Sequence, residues 1–251
     1  MNHVFSKSPI IRVPQTNSTN ACLLQLSNVE KLAEGAVVVT DHQTQGRGQG
    51  DNSWESEPGA NLTMSVILYP LSVKAFVLSK AISLAVYDFV SQFVSDVSVK
   101  WPNDVYVGER KIAGILIENF VEGAYLTKTI AGIGLNINQE HFVSDAPNPV
   151  SLRQITGKTY PLENCLHDLI AHIAARYRMI TENADRLNSE YLQRLYRFGR
   201  LSRFSACGIL FDAIITGVND YGMLEITTDD GKRKTFGFKE IVFVSWQTAS
   251  R

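Results

Sequence analysis

Between Val97 and Asn138 the chain carries four runs rich in Val, Ile and Thr, at 97–101, 105–107, 112–120 and 125–138. Turn signals such as Pro102-Asn103-Asp104 and Glu122-Gly123 separate them, so this stretch reads as consecutive strands of one sheet. Two more β-branched runs, 36–40 and 62–69, predict strands on either side of a glycine-rich connection. Helices must then cover the sheet. One is predicted over roughly 73 to 95, from apolar positions at Ile82, Ala85, Val86, Phe89, Val90 and Phe93; another follows along Leu162, Leu166, Leu169, Ile170, Ile173, Tyr177 and Ile180; a third spans about 187 to 198. After Arg200 the texture changes to short alternating segments, 209–217, 223–227 and 234–238, split by Asn-Asp-Tyr-Gly and Thr-Asp-Asp-Gly turns, which predicts a small β-barrel. The expected organisation is an α+β domain over 1–200, with a mixed sheet backed by helices, and a barrel over 201–251.

Charge and cysteine content narrow the function classes. Lys and Arg number 24 against 25 Asp and Glu, so no global positive field gathers nucleic acid or anionic lipid, and any anion recognition must be local. The three cysteines, Cys22, Cys165 and Cys207, form no CxxC pair, which argues against a disulfide framework or a zinc site and suits a cytoplasmic setting. No segment approaches the ~18 apolar residues of a membrane helix, so no membrane partner is expected. His42, His167 and His172 have no metal-ligand spacing, and no metal site is expected.

Three segments concentrate chemistry. Gly46-Arg47-Gly48-Gln49-Gly50 lies between predicted strands and removes side chains so that amide N–H groups can approach an anion, while Arg47 offers a planar fork for carboxylate or phosphate. It is neither a Walker A loop nor a dinucleotide fingerprint, because Lys-Ser/Thr, GxGxxG spacing and a following helix are all missing. Lys100-Trp101-Pro102-Asn103-Asp104 packs a cation, an aromatic, an amide and a carboxylate around a proline turn, although a plain turn uses similar residues. Lys111 opens an apolar strand three residues before Gly114, and Gly132-Ile133-Gly134-Leu135-Asn136 ends another. Ser18-Thr19-Asn20 reads equally as a helix N-cap for 21–26 or as a hydrogen-bonding patch. Seven arginines between Arg176 and Arg203 resemble a nucleic-acid surface, but solvated helix faces look the same.

Taken in order, STN, the Gly-Arg-Gly loop with Trp54, KWPND, KIAGILIE at 111–118 and GIGLN at 132–136 resemble the biotin protein ligases, from about residue 10 into the C-terminal segment. The resemblance implies a class II synthetase-like catalytic domain with an SH3-like C-terminal barrel. It also implies two-step chemistry: biotin and ATP, with Mg2+ on the phosphates, give biotinyl-AMP, which acylates a lysine of a biotin carboxyl carrier protein domain. It assigns biotin binding to Ser18, Thr19, Asn20, Gln43, Gly46, Arg47, Gly48, Gln49, Lys111 and Gly114, and ATP binding to Arg47, Trp54, Lys100, Asn103 and Asn136. Lys111, Arg47 and Asp104 are the expected catalytic groups. Gln49 and Asn52 stand where arginine occurs in well-known bacterial members, so retention of the adenylate is expected to be looser. Seventeen residues ahead of Ser18 are too few for a winged-helix domain, so no DNA partner is expected, and a homodimer is allowed. Two alternatives compete: a lipoate or octanoate ligase or transferase of the same superfamily, and a non-catalytic anion- or RNA-binding module.

Overall fold

The computed structural model describes residue 5 and residues 8–70, 74–123, 125–143 and 148–244. Seven strands build the first sheet: β1 (Ile10–Thr16), β2 (Val37–Gln43), β3 (Leu62–Leu68), β4 (Val97–Lys100), β5 (Asp104–Val107), β6 (Arg110–Glu122) and β7 (Tyr125–Leu135). Their order is β1-β2-β3-β7-β6-β5-β4, with β1 parallel to β2 and every other neighbour antiparallel, so the sheet is mixed. β3 is buried along its whole length, which requires cover on both faces.

Period-2 alternation sorts the cover. Val37, Met64, Val66, Ala131, Ile133 and Leu135 face a core shared with α2 (Ala75–Ser91) and α4 (Leu162–Glu182). Val38, Ile67 and Ile130 face a smaller cluster with Leu23 of α1 (Thr19–Val29). α2 is buried nearly all round, because α4 and α5 (Ala184–Gln193) cover the side that the sheet does not. The predicted stripe from Ile82 to Val90 lies in this core; the helix ends at Ser91, short of Phe93, and the expected start at 73 lies outside the described residues. α3 (Leu152–Thr156) was not expected, and it carries a Ser151–Gln154 capping box. Among the described residues, no helix is long and apolar enough to cross a membrane.

From Leu201 the chain forms a second, antiparallel sheet of β8 (Leu201–Ala206), β9 (Ile209–Val218), β10 (Leu224–Thr228), β11 (Arg233–Phe236) and β12 (Val242–Val244), in the order β11-β10-β9-β8-β12. β8 and β12 are additions to the expected strands, and the strand order is open, so among the described residues the expected C-terminal barrel is not closed: β11 and β12 stand at opposite edges of the sheet. Its inward residues Phe204, Ala213, Ile215, Leu224 and Ile226 join the main core. Among the contacts that tie the second sheet to the rest, Trp101 Nε1 donates to the Gly222 carbonyl at 2.8 Å, and Lys80 of α2, only 4% exposed, donates to Asn188 at 2.6 Å and to the Val218 carbonyl at 3.3 Å.

The Arg-rich segment serves the scaffold. Arg176 links α4 to Asp88 of α2 and Glu190 of α5, Arg186 also pairs with Glu190, Arg197 pairs with Glu109, Arg203 pairs with Asp212, and Arg194 lies over the Tyr87 ring. Most of its charge is therefore matched inside the fold.

One irregularity decides where a key side chain points. Between Val105 and Tyr106 of β5 the partner on β6 jumps from Ala113 to Lys111, leaving Ile112 unpaired in a β-bulge. Strict alternation would put Lys111 on the face opposite Gly114. The bulge returns it to the face of Asp104, which pairs with Gly114, and Ile112 goes fully buried into the core.

Candidate active site

That face forms the floor of a cavity of about 530 Å3, walled by the α1 N-terminus, the glycine loop, the 100–104 turn and residues 238–243 of the second sheet. Its floor is nearly bare. Gly114 pairs with Gly134 across β6 and β7, and the Trp54 indole lies against both: a Cβ on Gly134 would sit 2.2 Å from Trp54 Cε2, and one on Gly114 3.0 Å from Cζ3. A Cβ on Gly132 would meet Asn20 Oδ1 at 2.4 Å. These glycines let side chains from α1 and the loop approach the sheet backbone. The room expected beside Gly114 is thus shared with Trp54.

One end of the cavity is a neutral hydrogen-bonding patch. The Thr19 N–H donates to Gln43 Oε1 at 2.8 Å, and the Ser65 hydroxyl donates to Asn20 Oδ1 at 2.5 Å and lies 2.7 Å from the Thr19 hydroxyl. Asn20 Nδ2 donates to Glu118 Oε2 at 2.7 Å. Ser18 occupies the N-cap position of α1 without a side-chain capping bond, so its hydroxyl is left for the cavity it lines. The patch reading of Ser18-Thr19-Asn20 therefore describes the structure better than the capping reading.

The other end is charged. Lys111 Nζ sits 2.7 Å from Asp104 Oδ1, with both side chains about four-fifths buried, and Lys111 Nζ is 5.8 Å from the Trp54 ring centre. Burial pushes the Asp104 carboxyl above the usual aspartate range, while Lys111 and Lys100 pull it back. Lys100 donates to the Tyr106 hydroxyl at 3.0 Å and lies over the Tyr106, Phe243 and Tyr196 rings; burial lowers its pKa, with Asp104 opposing. Arg47 reaches the cavity from the glycine loop and donates to Glu118 Oε1 at 3.3 Å. The loop folds back on itself through Gly48 N–H to Asn52 O and Trp54 N–H to Gly46 O, and Asp51 ties it to Lys239, in the connection between β11 and β12, at 2.9 Å. Gln49 Oε1 and Trp54 Nε1 are buried without hydrogen-bond partners among the described residues.

Arg47 and Lys111, expected to converge, line the same cavity, as do Ser18, Thr19, Asn20, Gln43, Gly48, Gln49, Trp54, Lys100, Asn103, Asp104 and Gly114. Gly46 sits under Trp54 and Gln43 instead of in the wall. Asn136 differs from expectation. It is 2% exposed, does not line the cavity, and donates to the Val150 carbonyl at 3.1 Å; the Val150 N–H in turn bonds the Lys111 carbonyl, so Asn136 braces the backbone that carries Lys111. Asn103, though in the wall, spends its amide N–H on the Ile115 carbonyl at 2.8 Å. Ser65 and residues 239–243 were not singled out from the sequence, and Glu118 and Gly132 stood inside the KIAGILIE and GIGLN motifs without a role of their own. Glu118 and Gly132 carried a signal, since even-numbered positions on β6 and β7 share the face of Gly114 and Gly134.

Among the described residues, no three His, Cys, Asp or Glu side chains are grouped to hold a metal ion.

Known proteins of the same kind can now be set beside this geometry. Residues 12–136 match the model of the biotin/lipoate A/B protein ligase family. A biotin--[acetyl-CoA-carboxylase] ligase of Mycobacterium tuberculosis is 31% identical over 204 residues, covering 78% of this chain and 74% of that protein. The bifunctional ligase/repressor BirA of Bacillus subtilis is 28% identical, over 88% of this chain and 70% of that protein. Among solved structures, the biotin protein ligase from Aquifex aeolicus in complex with biotin and ATP superimposes with a TM-score of 0.76 at 24% identity, over 94% of this chain and 98% of that one. At that identity the likeness speaks for the fold, including both sheets.

Proposed function

The chain belongs to the biotin protein ligase family, and from that premise we propose that its cavity joins biotin to ATP and passes the biotinyl group to a carrier lysine. It is a ligase. In the first step a biotin carboxylate oxygen attacks the α-phosphorus of ATP, the bond to the β-phosphate oxygen breaks, and pyrophosphate leaves. In the second, a lysine amine attacks the acyl carbon of biotinyl-AMP, an amide forms, AMP leaves and the amine gives up a proton. The acceptor is the biotin carboxyl carrier domain of a carboxylase, acetyl-CoA carboxylase by the name of the relatives.

The observation that carries this reading is one cavity lined both by a polar patch at Thr19, Asn20 and Gln43 and by the cations Lys111 and Arg47. A ureido ring needs paired donors and acceptors; a carboxylate beside an α-phosphate needs fixed positive charge. At ~3 Å the two anions repel by roughly 5 kcal/mol at an effective dielectric of 20. Preorganised cations offset that without reorganising during the reaction. Mg2+ bound to the ATP phosphates would supply further positive charge. Among the described residues no free carboxylate cage lines the cavity, since Asp104 is engaged by Lys111 and Glu118 by Arg47 and Asn20, so the ion would be held chiefly by the ATP phosphates. The cytoplasmic setting is supported by the three free thiols.

Incubation with biotin, ATP and Mg2+ followed by mass analysis should yield biotinyl-AMP and pyrophosphate. Absence of the adenylate with biotin, or its formation only when lipoic acid replaces biotin, would reject the reading.

Asp104 is suited to receive the proton of the acceptor amine, which at pKa ~10.4 is almost wholly protonated at neutral pH. Asp104→Asn keeps shape and loses the base. It should slow transfer from preformed biotinyl-AMP more than it slows adenylation. The sign with pH follows from the upward shift: the carboxylate is lost as pH falls through a value above that of an ordinary aspartate, so wild-type transfer falls on the acid side. The variant should lack that limb. Equal losses in both half-reactions, or an unchanged acid limb, would remove Asp104 from the transfer step.

A further inference from the structure

We propose that Glu118 is a positioning residue for adenylation, joining the biotin end of the cavity to the glycine loop through its two carboxylate oxygens. The inference rests on the reading of the cavity as the biotin and ATP site. Glu118 lies four residues beyond Gly114 on β6, so alternation turns it to the same face. Oε2 accepts from Asn20 Nδ2 at 2.7 Å, and Oε1 accepts from Arg47 Nη2 at 3.3 Å.

The two contacts do different things. Asn20 is 2% exposed, and its Oδ1 accepts from Ser65 at 2.5 Å. Rotating its amide by half a turn would bring Oδ1 against the Glu118 carboxylate, two acceptors without a proton between them. The acceptor oxygen of Glu118, together with the Leu116 carbonyl 3.3 Å from Nδ2, therefore sets which way Asn20 presents its donor and acceptor. Arg47, by contrast, is half exposed on a loop held among the described residues by its own backbone bonds, by the packing of Trp54 on the sheet and by the Asp51–Lys239 pair. Glu118 is the contact that draws the arginine towards the first sheet, at the place where Asn20 is held. Ordering one group thus favours ordering the other, and the polar patch and the loop form one unit.

Glu118→Gln and Glu118→Ala separate the contacts. Glutamine keeps an acceptor oxygen for Asn20 and turns its amide donors towards Arg47, whereas alanine removes both contacts. In Glu118→Gln the KM for biotin should stay within about twofold of wild type, and amide exchange of residues 46–53 in the ligand-free protein should quicken by about threefold, the scale of an exposed ion pair. In Glu118→Ala the KM for biotin should rise on the order of tenfold, the scale of a hydrogen bond to a charged group. Arg47→Ala should quicken the loop as Glu118→Gln does, and combining the two should add nothing. Unchanged loop exchange in Glu118→Gln, equal loss of biotin affinity in both Glu118 variants, or additive acceleration in the double variant would overturn the proposal. If the wild-type protein makes no biotinyl-AMP, the reading of the cavity fails by itself, and loop exchange in the ligand-free variants still decides whether Glu118 holds the loop.

Discussion

Lys111→Ala should lower the rate of biotinyl-AMP formation by about 10²–10³-fold, the cost of removing one preorganised group aimed at developing charge. Two losses combine. The ammonium that sits 2.7 Å from Asp104 no longer faces the incoming carboxylate and α-phosphate. Asp104 is then left in a largely buried position with its nearest cation gone, adding a negative charge where two anions must already meet. The backbone should be little affected, because Lys111 is held by main-chain bonds to Asn148 and Val150 that alanine retains. Single-turnover measurement with saturating biotin and ATP checks the expectation. A fall of less than about fivefold would mean that Lys111 only helps binding, as in a non-catalytic anion-binding module, whereas the electrostatic account needs the larger figure.

The second large effect concerns stability. Gly222→Ala should destabilise the fold by about 2–5 kcal/mol, from about 1–2 for the left-handed backbone and about 1–3 for overpacking. Gly222 has φ +81°, and an added Cβ would lie 2.4 Å from the Phe76 ring. The same residue accepts the Trp101 indole bond that ties the KWPND turn to the second sheet, so relief by backbone movement disturbs that joint. At roughly 2–4 °C per kcal/mol for a chain of this length, Tm should fall by roughly 5–15 °C. Gly208→Ala is the control. Its φ of +78° is almost the same, but nothing lies within 4 Å of the added carbon, so only the backbone cost of about 1–2 kcal/mol remains. Equal losses at the two positions would show that packing at Phe76 contributes nothing.

The contrast between these glycines illustrates how far a sequence can be read. The sheet of 97–138 was legible because β-branched runs and turn residues alternate there without ambiguity. β1 was not, since Pro14 interrupts it; as an edge strand paired on one side it tolerates the proline, which the pairing with β2 skips. β12 is three residues long, too short for periodicity to register. Most of the site was legible because KWPND and KIAGILIE are contiguous in sequence. Ser65 and Glu118 were not assigned, because their importance arises from what α1 and the loop bring to them across 45 and 71 residues. Asn136, assigned to ATP by the resemblance, spends its amide N–H on the Val150 carbonyl and so also braces the backbone behind Lys111.

The bulge at Ile112 bears on any attempt to transplant this strand into another scaffold. The Lys111 ammonium owes its aim to an odd residue that the neighbouring strand skips, and that residue is anchored by insertion into the apolar core on the far side. Lys111, Ile112 and Ala113 therefore form an indivisible cassette: a chimera that aligns the lysine by simple alternation would keep every chemical group and present the amine to the wrong side of the sheet.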